Sequence, residues 1–211
     1  PGTRFNYSVS SDVLGHVVEV VSGKNLGDFF QERILGPLNM TDTAFQVPKE
    51  SADRFSSNYS PNPAGGLVIN EAATRSRYLL KPAMCSGGGG LVSTARDYIR
   101  FCQMMLNGGE LDGARILGRK TIELMTKNHL PGDVDLTQMA QGTFSETPYE
   151  GVGFGLGFSV NLGPARTGAA GSAGEFAWGG AASTAFWIDP AEDLVVIFMT
   201  QLMPSATYDF R

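Results

Sequence analysis

The run Gly174-Glu175-Phe176-Ala177-Trp178-Gly179-Gly180-Ala181-Ala182-Ser183-Thr184-Ala185-Phe186-Trp187-Ile188-Asp189 constrains this chain more than any other. Pro190-Ala191-Glu192-Asp193 comes after it, and then Leu194-Val195-Val196-Ile197-Phe198-Met199-Thr200. Two runs of aromatic and β-branched residues around four turn formers predict a β-hairpin. The second run is almost continuously apolar, which predicts a central strand covered on both faces. The first opens with the step Trp178-Gly179-Gly180, at the start of the strand. Paired glycines pack no core; they let another backbone or a ligand come close to the chain. A buried sheet whose strand begins in a bare glycine step is suited to wall an active site.

Upstream, helical signals alternate with loops. Ser10, Ser11 and Asp12 are good helix caps, and Val13, Leu14, Val17, Val18, Val20 and Val21 come next at helical spacing up to Gly23. A second helix is predicted from about Asn25, turning Leu26, Phe29, Phe30, Ile34 and Leu35 inward before Gly36-Pro37 stops it. Residues 41 to 83 scatter Pro, Asn, Ser and Gly, which predicts long loops with two short strands, as at a pocket rim. Ser93 or Thr94 can cap a helix containing Ala95, Ile99, Phe101, Cys102, Met105 and Leu106, ended by Asn107-Gly108-Gly109. A further helix, about Arg119 to Thr126, precedes a mobile-looking stretch up to Pro148. From Val152 the pattern Gly153-Phe154-Gly155-Leu156-Gly157-Phe158-Ser159-Val160 alternates glycine with apolar residues, as in a strand packed tightly on one face. Helices and long loops over 1–148 and antiparallel sheet over 149–211 make an α+β organisation.

Composition narrows the function classes. A net charge of −5 without a run of Lys and Arg argues against a nucleic-acid surface. No apolar segment is long enough to span a bilayer. Cys85 and Cys102 have neither metal-ligand spacing nor a disulfide framework, and both read as small core hydrophobes. The chain starts at Pro1 and stops soon after a strand of buried type, so it reads as a piece of a longer protein with any signal peptide upstream.

Several chemistries are disfavoured residue by residue. His16 lies among the apolar residues of a helix and His129 in a loop, and neither has the partner spacing of a metal site. Ala170-Gly171-Ser172-Ala173-Gly174 lacks the first glycine of a nucleophile elbow. No Gly-Lys-Ser/Thr comes after Gly87 to Gly90, so they read as a tight turn into a helix rather than a phosphate loop. No ATP, dinucleotide, zinc or other cofactor is implied. Tyr7, in Tyr7-Ser8-Val9, and Trp178-Gly179-Gly180 are each weak signals alone and specific together in this order.

Those residues, with their surroundings, resemble serine hydrolases of β-lactamase fold. This superfamily holds class C β-lactamases, penicillin-binding-protein-like peptidases and family VIII carboxylesterases. The resemblance runs through Pro1-Gly2-Thr3-Arg4-Phe5-Asn6-Tyr7-Ser8, Leu14-Gly15-His16-Val17-Val18-Glu19-Val20-Val21-Ser22-Gly23 and Ile34-Leu35-Gly36-Pro37-Leu38-Asn39-Met40-Thr41-Asp42-Thr43. Gly89-Gly90-Leu91-Val92-Ser93-Thr94-Ala95-Arg96-Asp97 and the hairpin from Trp178 to Gln201 complete it, so it covers nearly the whole chain, as the C-terminal part of such a protein.

The resemblance implies a fold of β-lactamase/transpeptidase type, partial here, with a helical subdomain and an antiparallel sheet. It also implies a Ser-x-x-Lys motif, whose serine is acylated; this occurs nowhere in these residues and is expected upstream. By the same likeness, Tyr7 takes the place of the tyrosine that helps move the nucleophile's proton. A phenol of pKa about 10 needs a neighbouring cation, supplied by the motif lysine, to act as a base. Trp178-Gly179-Gly180 replaces Lys-Thr-Gly, as in family VIII esterases, and the backbone N–H of Ala181 becomes one oxyanion donor. Val9 and Trp178 stand where lactamases place an Asn and a Lys, so apolar surface replaces two polar handles. An uncharged short-chain ester fits that wall better than an anionic β-lactam or a D-amino-acid peptide. The partner so implied is a small-molecule ester, with no metal and with the oligomeric state open. A non-catalytic homologue is the remaining alternative.

Overall fold

The computed structural model describes residues 2–139 and 150–208. They form two compact units, each drawn from several segments of chain.

The first unit comprises Ser11–Tyr98, Gly179–Ala185 and Ile197–Arg211. Helix α1 (Ser10–Ser22) starts at its predicted caps and stops at Gly23, whose φ of +68° carries no Cβ penalty. Gly15 is the only buried residue of α1, and Val13, Leu14, Val17, Val20 and Val21 are exposed. Asn25 caps α2 (Leu26–Phe30), its Oδ1 accepting from the Gly27 N–H at 2.9 Å, and the helix widens into a π turn over Gln31–Leu35. Leu26 and Leu35 are buried, as are Leu38, Met40, Phe45, Val47 and Leu202.

The expected pair of short strands in 41–83 is β1 (Asn58–Pro61) with β2 (Leu67–Glu71), antiparallel, among short 3₁₀ turns. Tyr59 of β1 donates its N–H to Gln201 O and accepts from the Met203 N–H, both at 2.8 Å. The glycines at 87 and 90 have packing reasons: a Cβ at 87 would sit 2.2 Å from the Ser11 carbonyl oxygen, and one at 90 would sit 2.8 Å from the Phe45 ring. Thr94 caps α3 (Ala95–Leu106) through the Asp97 N–H at 3.2 Å. The buried Asp97 carboxylate then accepts from the Asp42 N–H at 2.7 Å and the Thr43 hydroxyl at 2.9 Å. Cys85 is half-exposed, with Sγ 3.4 Å from Asn25 Oδ1, so it is not the core hydrophobe expected.

The second unit comprises Pro1–Ser10, Ile99–Trp178 and Phe186–Val196. The later turns of α3 bury Cys102, Met104 and Met105, and Gly108 and Gly109 end the helix at positive φ. A small hairpin that periodicity does not reveal comes next, β3 (Glu110–Leu111) with β4 (Ala114–Arg115). Asp112 and Gly113, at φ +50° and +82°, supply its two left-handed turn positions. Helix α4 (Arg119–Met125) is the element after it. The stretch up to Pro148 lies partly outside the described residues; its described part holds a 3₁₀ turn at Pro131–Asp133 and the short helix α5 (Leu136–Met139).

The single strand expected over 153–160 is instead a hairpin, β5 (Val152–Phe154) and β6 (Ser159–Asn161). Gly157 at φ +96° turns the chain, and the Gly155 N–H donates to Phe158 O at 2.8 Å. After a turn of helix, α6 (Pro164–Thr167), come β7 (Phe176–Gly179), β8 (Ala185–Asp189) and β9 (Leu194–Phe198). The sheet order is β5-β6-β7-β8-β9, with Ser159 opposite Ala177 in the antiparallel β6–β7 pair. Phe158, Val160, Phe176, Phe186 and Ile188 are buried, and the Phe158 ring meets those of Phe176 and Phe186 edge-on at 5.2 and 6.2 Å.

Two sequence expectations for this sheet are corrected. The run from Gly174 to Asp189 is two strands, not one, because the chain reverses at Gly180–Thr184, so Trp178-Gly179-Gly180 ends β7 instead of opening a strand. The Gly180 N–H donates to Thr184 O at 2.9 Å, and the buried Ser183, at φ +63°, donates its hydroxyl to Leu202 O at 2.6 Å. And β9 is an edge strand among the described residues, with no buried residue, rather than a central strand covered on both faces.

Candidate active site

Tyr7 lies in the irregular segment three residues ahead of α1, and Trp178 is the third residue of β7. Their ring centroids are 5.4 Å apart at an interplanar angle of 48°. Trp178 also meets the Phe154 ring edge-on at 5.4 Å, and Phe154 meets Phe5 at 4.9 Å. The segment carrying Phe5 and Tyr7 is held by the Phe5 N–H, which donates to Met139 O at 2.9 Å. So four rings, in the order Phe5, Phe154, Trp178, Tyr7, make a continuous row. All four are half-buried, unlike the sealed Phe158 and Phe176.

The residues after Trp178 sit where the chain leaves β7. Gly180 has a local reason to lack a side chain, since a Cβ there would lie 2.5 Å from Thr184 Oγ1. Ala181 is next in the turn; it is exposed, and its backbone N–H has no hydrogen-bond partner among the described residues. Val9 is also exposed, at 64% of its surface. A concavity of about 590 Å³ beside Asp135, Glu150 and Arg166 includes none of Tyr7, Val9, Trp178, Gly179, Gly180 and Ala181.

Other candidates fall to structural roles. The His129 ring bonds to Leu124 O through Nε2 at 2.8 Å, and His16 lies 3.5 Å from Glu19 on an exposed helix face. Among the described residues no three His, Cys, Asp or Glu side chains gather to hold a metal. The Cys102 thiol is pushed up to about 12 by burial, which removes it as a nucleophile at neutral pH. Sequence reasoning misses Phe5 and Phe154. The alternation of glycine with apolar residues around Phe154 is the available signal, because a strand packed tightly on one face projects its ring to the other.

Comparison with known proteins agrees with this architecture. The sequence matches the beta-lactamase family over residues 1–211. It is 34% identical over 213 residues to Protein Rv1367c of Mycobacterium tuberculosis, covering 99% of this chain and 51% of that one. Esterase EstB of Burkholderia gladioli is 31% identical over 216 residues, covering 95% and 50%. Among solved structures, EstCE1, described as a hydrolase with promiscuous acyltransferase activity, superimposes with a TM-score of 0.77 at 27% identity, covering 96% of this chain and 52% of that one. The chain spans about half the length of the curated relatives it matches. With the fold of helices and antiparallel sheet described above, it is a member of the beta-lactamase family.

Proposed function

We propose that this chain is the tyrosine-bearing part of a carboxylesterase that cleaves short-chain esters through an acyl-enzyme. The observation that carries the reading is the 5.4 Å contact of the Tyr7 ring with Trp178, at the head of the Gly179-Gly180 step. In this scheme a serine outside the chain attacks the ester carbonyl, and its proton passes by way of Tyr7 to the departing alkoxide. The C–O bond to the alcohol breaks, and water releases the acyl group by the reverse proton path. The exposed Ala181 N–H serves as one donor to the oxyanion; removing such a donor typically costs about 3 kcal/mol of barrier. Val9 and Trp178 present apolar surface to the substrate, and Gly179 and Gly180 keep the strand end bare. Esterase EstB, at 31% identity, supports an ester over a β-lactam.

The test is hydrolysis of p-nitrophenyl butyrate against nitrocefin by the full-length protein, with Tyr7→Phe beside it. Ester turnover should dominate, and Tyr7→Phe should lower kcat roughly 10²- to 10⁴-fold. Nitrocefin as the better substrate makes the protein a β-lactamase instead, and the absence of a Ser-x-x-Lys from the full-length sequence makes it a binding homologue.

A further inference from the structure

We infer that Phe154 is a positioning residue for the Trp178–Tyr7 pair, held in place through its backbone by Asn128. The inference rests on the proposed role of Tyr7 and adds to it a part of the chain far from the motifs.

Phe154 ends β5, and its ring contacts both Phe5 and Trp178. Its edge-on geometry against Trp178, 74° between planes, is an arrangement that aromatic pairs prefer and so favours one orientation of the indole. The indole in turn is the surface on which the Tyr7 ring rests. Phe154 is therefore one ring removed from the phenol.

The backbone of Phe154 is anchored at both its N–H and its carbonyl. Its N–H donates to Asn128 Oδ1 at 3.1 Å, and its carbonyl accepts from the His129 N–H at 2.8 Å. Asn128 is itself fully engaged. Its Oδ1 also accepts from the Leu130 N–H at 3.2 Å, and its Nδ2 donates to Asp133 Oδ1 and Val134 O, both at 2.9 Å. A carboxamide bonded at every side has one orientation, and so has the strand it holds. The flanking glycines complete the seat: a Cβ at 153 would lie 2.5 Å from Asn128, and one at 155 would lie 2.2 Å from Met125 O. The strand thus runs hard against residues 125–128, and the single side chain of the Gly-Phe-Gly triplet points to the ring row.

A core phenylalanine would need no such arrangement and would be sealed. Phe154, Trp178 and Tyr7 are each half-exposed, so their mutual order serves an accessible surface. A phenol that moves a proton must be placed to a fraction of an ångström, and a misplacement of about 1 Å can cost about 10²-fold in rate.

The test uses the full-length protein and p-nitrophenyl butyrate, with Phe154→Ala, Phe154→Leu, Phe154→Tyr and Tyr7→Phe. Phe154→Leu keeps most of the volume and serves if the alanine variant fails to fold. Loss of the ring should lower kcat and the acylation rate about 10- to 100-fold, with KM within about threefold. Phe154→Tyr should restore most of the rate. A folded Phe154→Leu with unchanged kcat, or with KM alone raised, overturns the positioning role. Tyr7→Phe keeps the two readings apart: an inactive Tyr7→Phe beside an unaltered Phe154→Leu sinks this inference only, whereas a fully active Tyr7→Phe sinks both.

Discussion

Glu175, the residue before β7, has a carboxyl group that stays protonated to higher pH than usual, first because of burial and then because of the charge of Asp189. Its backbone carbonyl accepts from the Asn161 N–H at 2.8 Å, which fixes the chain at that point. The folded state binds this proton more tightly than the unfolded chain does. Stability therefore falls as pH rises from the ordinary carboxylate range through the raised value, and the penalty is complete above it. Glu175→Gln should accordingly raise Tm at pH 7 and leave it unchanged near pH 3, where both side chains are neutral. Scanning calorimetry at the two pH values decides it, and a lower Tm for the glutamine variant at pH 7 would mean that the charge is favourable where it stands. Single residues are unevenly legible in the sequence. That Tyr7 and Trp178 belong together is suggested by their resemblance to a family pattern, and their rings do meet at 5.4 Å. Cys85 cannot be read in this way, because whether a thiol reaches a core depends on what packs over it, and here Asn25 lies beside it.

Elements are legible where the chain marks its own ends. Asn25, Thr94 and Gly108 each make the local bond or left-handed turn that their residue type suggests. The reversal at Gly180–Thr184 carries no Pro, Asn or Asp, and it is closed by the Ser183 hydroxyl reaching Leu202, a contact nineteen residues away that no local pattern encodes. The hairpin β5–β6 is hidden for a related reason: alternating glycines look alike whether they sit in a strand or in its turn. Their roles differ and can be separated. Gly155 is glycine because Met125 O leaves no room, whereas Gly157 is glycine because its φ is +96° and nothing lies within 4 Å of its missing Cβ. Gly155→Ala should then destabilise by about 3 kcal/mol, the upper part of the overpacking range, since a carbonyl oxygen cannot move aside as a side chain can. Gly157→Ala should cost about 1–2 kcal/mol, the strain of a left-handed backbone. Urea unfolding of both variants gives the order, and equal losses would refute the distinction.

At the scale of the whole molecule the 3.6-residue period of α1 predicts a helix but does not guarantee a buried one. Five of its apolar residues face solvent, Val21 at 82% of its surface, and β9 is an edge strand among the described residues, with Leu194 and Phe198 exposed. Strand β2 adds Leu67, Val68 and Ile69 in a row, all exposed. Monomers seldom leave contiguous apolar patches beyond a few hundred Å² uncovered, and an apolar sheet edge is a template for another strand. A chain of these 211 residues, expressed alone, should therefore self-associate at micromolar concentration. The two surfaces make separable contributions. Replacing Val17, Val20 and Val21 by glutamine removes helix-face burial without touching a backbone bond, whereas Val196→Pro removes an N–H donor from β9. If the helix face drives association, the triple glutamine variant should sediment chiefly as monomer and the proline variant should not; if edge pairing drives it, the order reverses. Sedimentation velocity of the unmodified chain is the control, and a monodisperse monomer that unfolds cooperatively there would show that these apolar surfaces do not govern association at all.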